Sequence, residues 1–186
     1  MGVGIALMAD ADLGLGPWDV LHQGLSHHTG LSLGVLNIAV GAAVLLLWVP
    51  LRQRPGLGTV LNVLVVGTAV DVALALLPEP GPLALRAVAM LGGVVLMGVG
   101  SGLYIGAGLG PGPRDGLMTG LAARGHTVRS VRTALEVTVL VLGWALGGTV
   151  GVGTVVLAVA IGPLVQASLG WLGLPAPSPA GEPAGR

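Results

Sequence analysis

The stretch LGLGPWDVL at residues 13–21 recurs as LGPGPRDGL at residues 109–117. Around this stretch, residues 1–25 match residues 97–121 at 14 of 25 positions when the chain is shifted by 96. Further along, GLGTV at 56–60 matches GVGTV at 151–155 at a shift of 95. We call two residues equivalent when one of these shifts relates them, with the change of shift near Arg124. The chain is therefore an internal duplication.

The composition is that of a membrane protein. Hydrophobic residues make up 53% of the 186 residues and charged residues only 9%, whereas a soluble domain carries about a quarter charged residues. All eight basic residues are arginines and the net charge is zero, so no basic face is available for nucleic acid. A soluble globular protein, a disordered chain and a nucleic-acid binder are thereby excluded. The lipid bilayer is the expected partner.

Charge-free runs place the membrane spans. No Asp, Glu, Lys or Arg occurs in 20–51, 87–113 or 137–181, and apolar residues in these runs are continuous, which is typical of membrane helices. The predicted spans are 32–49, 58–77, 84–108, 128–147 and 152–172, and the predicted short helices, too short to cross, are 17–28 and 113–124. Residues 1–13 read as the second half of a sixth span whose start is truncated.

These segments predict an all-α, polytopic membrane helix bundle made of two repeats, 1–77 and 84–172. Each repeat carries three spans and one short broken helix, either re-entrant or interfacial. Because three is odd, the second repeat must cross the membrane upside down. The tail, 173–186, is rich in Pro, Ala and Gly and is predicted to be disordered and cytoplasmic.

Arginine positions predict the orientation. Two arginines, Arg52 and Arg54, follow the second span, and four others lie between the fourth and fifth spans. By the positive-inside rule this side is cytoplasmic, and so are both termini. The predicted location is the plasma membrane.

Asp19 and Asp115 are equivalent, and each lies near the N-terminus of its short helix. Secondary transporters place broken-helix N-termini at a midplane site between inverted repeats, so the pair is a candidate site for a cation, a proton or an amine. The competing interpretation is that each carboxylate only caps its own helix. The position of the pair alone leaves capping as the simpler explanation.

Further candidates lie within the spans. Asp71 falls inside a span, with Gln166 at the equivalent place. An acid there is either functional or structural, and in the structural case it is a neutral or hydrogen-bonded link between helices or lies close enough to the outer interface to be wet. Arg132 and Glu136, four residues apart, predict an ion pair that is structural or serves as a gate or anion contact. Asn37, equivalent to Arg132, is expected to hydrogen-bond across helices.

Histidines and tryptophans have simpler expected roles. His22 lies three residues from Asp19, so one helical face could offer both side chains to a metal or a proton. The simpler expectation is that His22, His27 and His28 are wet and interfacial. The tryptophans at 18, 48 and 171 are expected to anchor the helices at membrane interfaces. The chain has no cysteine and no nucleophile or phosphate-loop motif, so no enzymatic activity, metal or cofactor is expected.

The segments at 13–26 (LGLGPWDVLHQGLS), 50–62 (PLRQRPGLGTVLN), 102–121 (GLYIGAGLGPGPRDGLMTGL) and 161–166 (IGPLVQ) resemble the YczE-like membrane proteins of the YczE/YyaS/YitT group. The resemblance covers nearly the whole chain. It implies a multi-pass plasma-membrane protein of bacterial type. The resemblance supplies no established biochemical activity that can be carried over to this chain.

Two functions therefore compete. The first is a small-solute or ion transporter with a midplane site between the repeats, for which neutralising Asp71 or Asp115 should abolish flux. The alternative is a non-transporting membrane partner or assembly factor, acting through helix–helix contacts with another membrane protein or a second copy of itself.

Overall fold

The computed structural model describes residues 1–79 and 81–173, and in these residues every regular element is an α-helix. The helices are α1 (Gly2–Ala11), α2 (Pro17–Thr29), α3 (Leu33–Leu51), α4 (Leu57–Leu76), α5 (Leu83–Gly106), α6 (Pro113–Ala122), α7 (Val128–Ala145) and α8 (Val152–Trp171). Each predicted span and each short helix is thus a helix with ends within two residues of those predicted. The predicted tail, apart from Gly173, lies outside the described residues.

Four of these helices are long and apolar enough to cross a membrane: α3, α4, α5 and α8. The fifth predicted span, α7, is fully helical but includes Arg129, Arg132 and Glu136, and it does not meet the same criterion within the described residues. Large apolar side chains cover the outside of the four apolar helices, for example Leu46 and Leu76. A soluble protein rarely exposes such a continuous apolar surface, so lipid is its natural solvent.

Helix starts are set by the same local chemistry in both copies. α2 and α6 begin with a proline directly after a glycine N-cap, which suits the fixed φ of proline. The hydroxyls of Ser32 and Thr127, which are equivalent, cap α3 and α7 by accepting from the backbone NH three residues on. These starts depend only on neighbouring residues, which is why the sequence predicts them well.

Glycines let the helices approach closely. A Cβ on Gly4 of α1 would lie 2.7 Å from the carbonyl oxygen of Gly93 of α5, and a Cβ on Gly24 of α2 would lie 2.6 Å from that of Gly143 of α7. In α6, a Cβ on Gly116 would overlap the ring of Trp48. Small residues at helix crossings of this kind are the usual means of tight packing in membranes.

The turns before the short helices each join the other half of the chain. The carbonyl of Leu13 accepts from Gly153 NH (2.8 Å), and the carbonyl of Leu109 accepts from Gly58 NH (2.9 Å). The two donors, Gly153 and Gly58, are equivalent residues, and so are the two acceptors, Leu13 and Leu109. Each turn also needs a glycine in the left-handed region, at Gly14 (φ 113°) and Gly110 (φ 118°). The two copies are therefore interlocked through their turns.

Two expectations about aromatic residues were wrong. Trp48 is 1% exposed, and its indole Nε1 donates to the carbonyl of Pro113 at 3.0 Å. Trp18 is also buried, in the same apolar cluster as Trp48, Val44 and Leu117. Of the three tryptophans predicted to be anchors, Trp171 alone has the exposure expected of one. The Trp48 indole fits against α6 because Gly116 has no side chain there, and Trp18 packs in the same cluster.

Candidate functional site

A central polar cavity of about 270 Å³ lies between the helices, and all eight helices contribute to its lining. Its polar and charged side chains are Asp19, His22, Asn37, Asn62, Ser101, Tyr104, Arg114, Asp115, Arg132 and Glu136. The ring of Trp18 also lines the cavity. Five of the seven residues singled out from the sequence thus meet in one place. They come from four helices, α2 and α3 in the first copy and α6 and α7 in the second.

Asp19 and Asp115 reach the cavity from the starts of α2 and α6. Both carboxylates fold back toward the glycine N-cap of their own helix: a Cβ on Gly16 would lie 3.2 Å from Asp19 Oδ2, and one on Gly112 would lie 2.9 Å from Asp115 Oδ2. This position is compatible with both interpretations of the pair, capping and site, and it does not choose between them. Each acid lies at a positive helix end and also faces the cavity.

The buried end of the cavity is formed by Asp19 and His22, which are 2% and 1% exposed. The His22 Nδ1 lies 3.4 Å from Asp19 Oδ1, and a guanidinium nitrogen of Arg114 lies 3.6 Å from the same oxygen. Asp19 Oδ1 and both ring nitrogens of His22 have no hydrogen-bond partner within the described part of the chain. The expectation that His22 is wet was wrong, because α7 and α3 cover the helix that carries it.

Arg114 links the two halves at this end. Besides approaching Asp19, its guanidinium carbon lies 5.0 Å from the centre of the Trp18 ring, a cation–π distance. Arg114 and Trp18 are equivalent residues. The sequence analysis did not single out Arg114 as a site residue, although its equivalence to Trp18, next to the candidate Asp19, was an available signal.

Arg132 and Glu136 form the ion pair predicted from their spacing, with Arg132 Nε donating to Glu136 Oε1 at 2.9 Å. Both side chains line the cavity, and so does Asn37, which is equivalent to Arg132. Arg132 is 55% exposed whereas Asn37 is 8% exposed. The pair therefore lies at the more open part of the cavity.

Asp71 and Gln166 do not line this cavity. The carboxylate of Asp71 accepts from the Ser32 hydroxyl at 2.5 Å and from Gly34 NH at 2.7 Å, so it caps α3 from the neighbouring helix α4. This is the hydrogen-bonded link between helices that the sequence left open as one of two interpretations. Gln166 is exposed on α8. Both residues are thus placed away from the cluster of the other five.

Tyr104 and Asn62 are cavity residues that the sequence analysis did not assign to a site. The Tyr104 hydroxyl donates to the carbonyl of Gly110 at 3.0 Å, which aims its ring at the start of α6. Asn62 lies across the cavity on α4. As the single tyrosine of the chain, Tyr104 carried a compositional signal, but nothing local connected it with Asp115.

Among the described residues no three His, Asp or Glu side chains converge so as to hold a metal ion. What the cavity offers instead is separate carboxylates, guanidiniums and amides on apolar walls. Such a lining suits a small polar or charged solute that is recognised by its hydrogen bonds and charge.

The comparisons with known proteins agree with a membrane protein and name no activity. The model of a family of unknown function, DUF6198, matches residues 1–169. An uncharacterized protein of Haemophilus influenzae is 42% identical over 167 residues, covering 89% of this chain and 77% of that protein. The uncharacterized membrane protein YczE of Bacillus subtilis is 36% identical over 170 residues, covering 90% and 79%.

The uncharacterized protein YyaS of Bacillus subtilis is 27% identical over 161 residues, covering 83% of this chain and 79% of YyaS. No solved structure matches. The family match over most of the chain, the identity to YczE and the apolar helices agree with one another. The chain therefore belongs to the DUF6198 family and is a YczE-like integral membrane protein.

Proposed function

We propose that this protein is a small-solute or ion transporter of the plasma membrane, with its binding site in the central cavity between two inverted repeats. The observation that carries the proposal is the make-up of the cavity wall. Of its 28 lining residues, 24 form equivalent pairs, such as Asp19 with Asp115 and Asn37 with Arg132. A wall shared in this way lies where two repeats meet, and secondary transporters bind their substrates at such a place.

The inverted arrangement is supported by the interlocked turns. The turn of each copy bonds to the last helix of the other copy through equivalent atoms, Leu13 with Gly153 and Leu109 with Gly58. A two-fold axis through the cavity would produce this exchange. With three spans per repeat, α7 crosses the membrane as its equivalent α3 does. Arg132 and Glu136 then lie within the membrane as an ion pair whose charges cancel.

The two halves differ in how open they are. Asp19 is buried whereas Asp115 is exposed to the cavity, and α3 packs along α4 whereas α7 and α8 have no comparable packing in the described part of the chain. A Cβ on Gly67 would lie 2.6 Å from the Gly34 carbonyl oxygen, but one on the equivalent Gly162 would meet no described atom within 4 Å.

This asymmetry supports alternating access. The arginine-rich side, where α6 and the start of α7 lie, is the cytoplasmic side by the positive-inside rule, so the cavity opens inward and both termini are cytoplasmic. If α7 packed along α8 and α3 separated from α4, the cavity would close on the cytoplasmic side and open on the opposite side. The two states need only repack equivalent helices about a fixed site.

Sided thiol labelling tests alternating access without knowledge of the solute. The chain has no cysteine, so each single-cysteine variant carries one reactive thiol. Ser101→Cys places it in the cavity wall, and Ser130→Cys, the matched control, places it on an exposed residue at the start of α7. Both variants are reconstituted into vesicles and treated with a membrane-impermeant thiol reagent from either face.

We expect Ser101→Cys to be modified from both faces and Ser130→Cys from one face. Modification of Ser101→Cys from a single face would mean a cavity that never changes sides, and transport would be rejected. That outcome would favour a non-transporting membrane partner or assembly factor, and the protein would then be purified in mild detergent to identify what accompanies it.

A further inference from the structure

The charges in the cavity do not balance. Three carboxylates and two guanidiniums line it. Arg132 pairs with Glu136 at 2.9 Å, and Arg114 lies 3.6 Å from Asp19 and over the Trp18 ring. Within the described residues Asp115 forms no ion pair. Since both guanidiniums have partners and one carboxylate does not, the cavity favours a positive charge.

Polar atoms at the buried end lack partners as well. Asp19 and His22 line the cavity, and Asp19 Oδ1 and both ring nitrogens of His22 are buried and form no hydrogen bond among the described residues. Asp19 Oδ1 has only longer ion-pair contacts, 3.4 Å to His22 Nδ1 and 3.6 Å to Arg114. Leaving such atoms unpaired is costly, and a donor group of a bound solute would satisfy an oxygen or nitrogen there. These atoms are a second indication, independent of Asp115, that the cavity holds a polar ligand.

An aromatic ring lies beside the unpaired carboxylate. A Cβ placed on Gly112 would lie 2.9 Å from Asp115 Oδ2 and 4.0 Å from Tyr104 Cε1, so the carboxylate and the ring both lie close to Gly112 in the cavity wall. The face of an aromatic ring attracts a cation, most strongly when the cation is desolvated. A carboxylate next to such a ring suits an ammonium group better than a metal ion, which prefers several oxygen or nitrogen ligands.

The cavity volume limits the size of the ligand. About 270 Å³ is slightly below the range of drug-sized pockets and leaves room for a small molecule only. We propose that the solute is a small organic ammonium cation, held by Asp115 with Tyr104 beside it and hydrogen-bonded toward Asp19 and His22. This inference rests on the cavity being the transport site of the proposed function.

Calorimetry on the wild-type chain tests the charge preference. The probes are choline, its uncharged carbon isostere 3,3-dimethylbutanol, and the anion isobutyrate, titrated into the full chain purified in an uncharged detergent. We expect choline to bind and its binding to exceed that of the two others by at least about tenfold, because only choline offers a positive charge to the carboxylate and the aromatic ring. Equal binding of choline and the isostere, tighter binding of isobutyrate, or no binding of choline would overturn the inference.

Substitutions then locate the cation. Asp115→Asn should weaken choline binding about tenfold or more, whereas Glu79→Gln, which neutralises an exposed acid outside the cavity, should leave it unchanged. Tyr104→Leu removes the ring and should weaken choline binding about fivefold, whereas Tyr104→Phe keeps the ring, loses only the bond to Gly110, and should weaken choline binding less than Tyr104→Leu does. If Asp115→Asn does not fold, the two tyrosine variants and the wild-type preference still decide the matter.

The headgroup of a phospholipid carries the same ammonium group. Glycerophosphocholine is therefore titrated beside free choline. Tighter binding of choline supports a free solute as the ligand. Tighter binding of glycerophosphocholine assigns the ammonium group to a lipid headgroup and overturns transport of the free cation. The labelling of Ser101→Cys does not depend on the result of either titration. Failure of choline to bind together with labelling from both faces would reject the substrate class and keep the transporter.

Discussion

The guanidinium of Arg114 lies 5.0 Å from the centre of the Trp18 ring, and these two residues occupy equivalent positions in the two copies of the repeat. The contact therefore joins the same place in each copy, and it lies directly beside Asp19, whose Oδ1 is 3.6 Å from Arg114. One copy carries a basic residue there and the other an aromatic one. The side chains at these equivalent positions are complementary rather than identical.

Removing the charge of Arg114 should strengthen cation binding. Arg114→Gln leaves Asp19 without its guanidinium and makes the cavity more negative, so we expect the affinity for choline to rise a few-fold and the ligand-free protein to melt at a lower temperature. Calorimetry and a thermal melt measure the two effects. Arg129→Gln, outside the cavity wall, is the matched control. A drop in choline affinity would place Arg114 in contact with the ligand instead of with Asp19.

The contact between Gly116 and Trp48 should not tolerate a methyl group. A Cβ at Gly116 would overlap the indole ring of Trp48, which is buried and hydrogen-bonded to Pro113, so the ring cannot move aside freely. We expect Gly116→Ala to destabilise the fold by about 1–3 kcal/mol. The readout is the melting temperature of the purified protein in detergent.

Gly92→Ala is the control for that substitution, because a Cβ at Gly92 meets no described atom within 4 Å. An alanine in the middle of α5 should change stability by no more than about 1 kcal/mol, in the stabilising direction. Equal melting of the two variants would show that α6 and α3 are further apart than the structure has them.

Asp71 should act as a capping residue. Asp71→Ala removes the acceptor of both the Ser32 hydroxyl and Gly34 NH, so we expect a loss of stability of about 0.5–2 kcal/mol. Gln166→Ala, at the equivalent and exposed position, should melt like the wild type. The comparison uses thermal melts of both variants. A wild-type melting temperature for Asp71→Ala would mean that α3 does not depend on this cap.

Thr59 and Thr154 are equivalent but should not be equally important. Both hydroxyls accept from the glycine NH three residues earlier, at 3.1 and 3.2 Å, but only Thr59 also donates, to the carbonyl of Pro111 at 2.7 Å. Thr59→Val therefore removes the partner of two backbone groups in part-buried hydrogen bonds, and Thr154→Val removes the partner of one. We expect the first to cost about 1–3 kcal/mol and the second less, measured by thermal melts. The reverse order would contradict the Thr59–Pro111 bond.

Much of this architecture follows from neighbours in the chain. The starts of α2 and α6 follow from Gly-Pro, those of α3 and α7 from a capping hydroxyl, and the spans from charge-free runs. Arg132 and Glu136 pair because four residues make one helical turn. These features need no knowledge of what packs against what, and so the sequence predicts them.

The fate of single polar residues could not be predicted in the same way. The apolar helices are hydrophobic on all sides, so no periodic pattern indicates which face turns inward. His22 and Trp48 are polar or amphipathic residues that local reasoning places at a membrane interface, yet both are buried by other helices. Asp71 and Asp115 were both candidate site residues, but one caps a neighbouring helix and the other faces a cavity.

The sequence by itself determined the membrane class, the helices, the internal duplication and the equivalence of Asp19 and Asp115. Only the tertiary structure decided which candidates share a cavity, that Arg114 reaches Asp19 and Trp18, and that one half is packed more tightly than the other. The physical reason is the range of the forces involved. Caps, spans and charge spacing act over one or two helical turns, whereas a cavity is what remains when all eight helices have packed, and its lining depends on the rotation of each one.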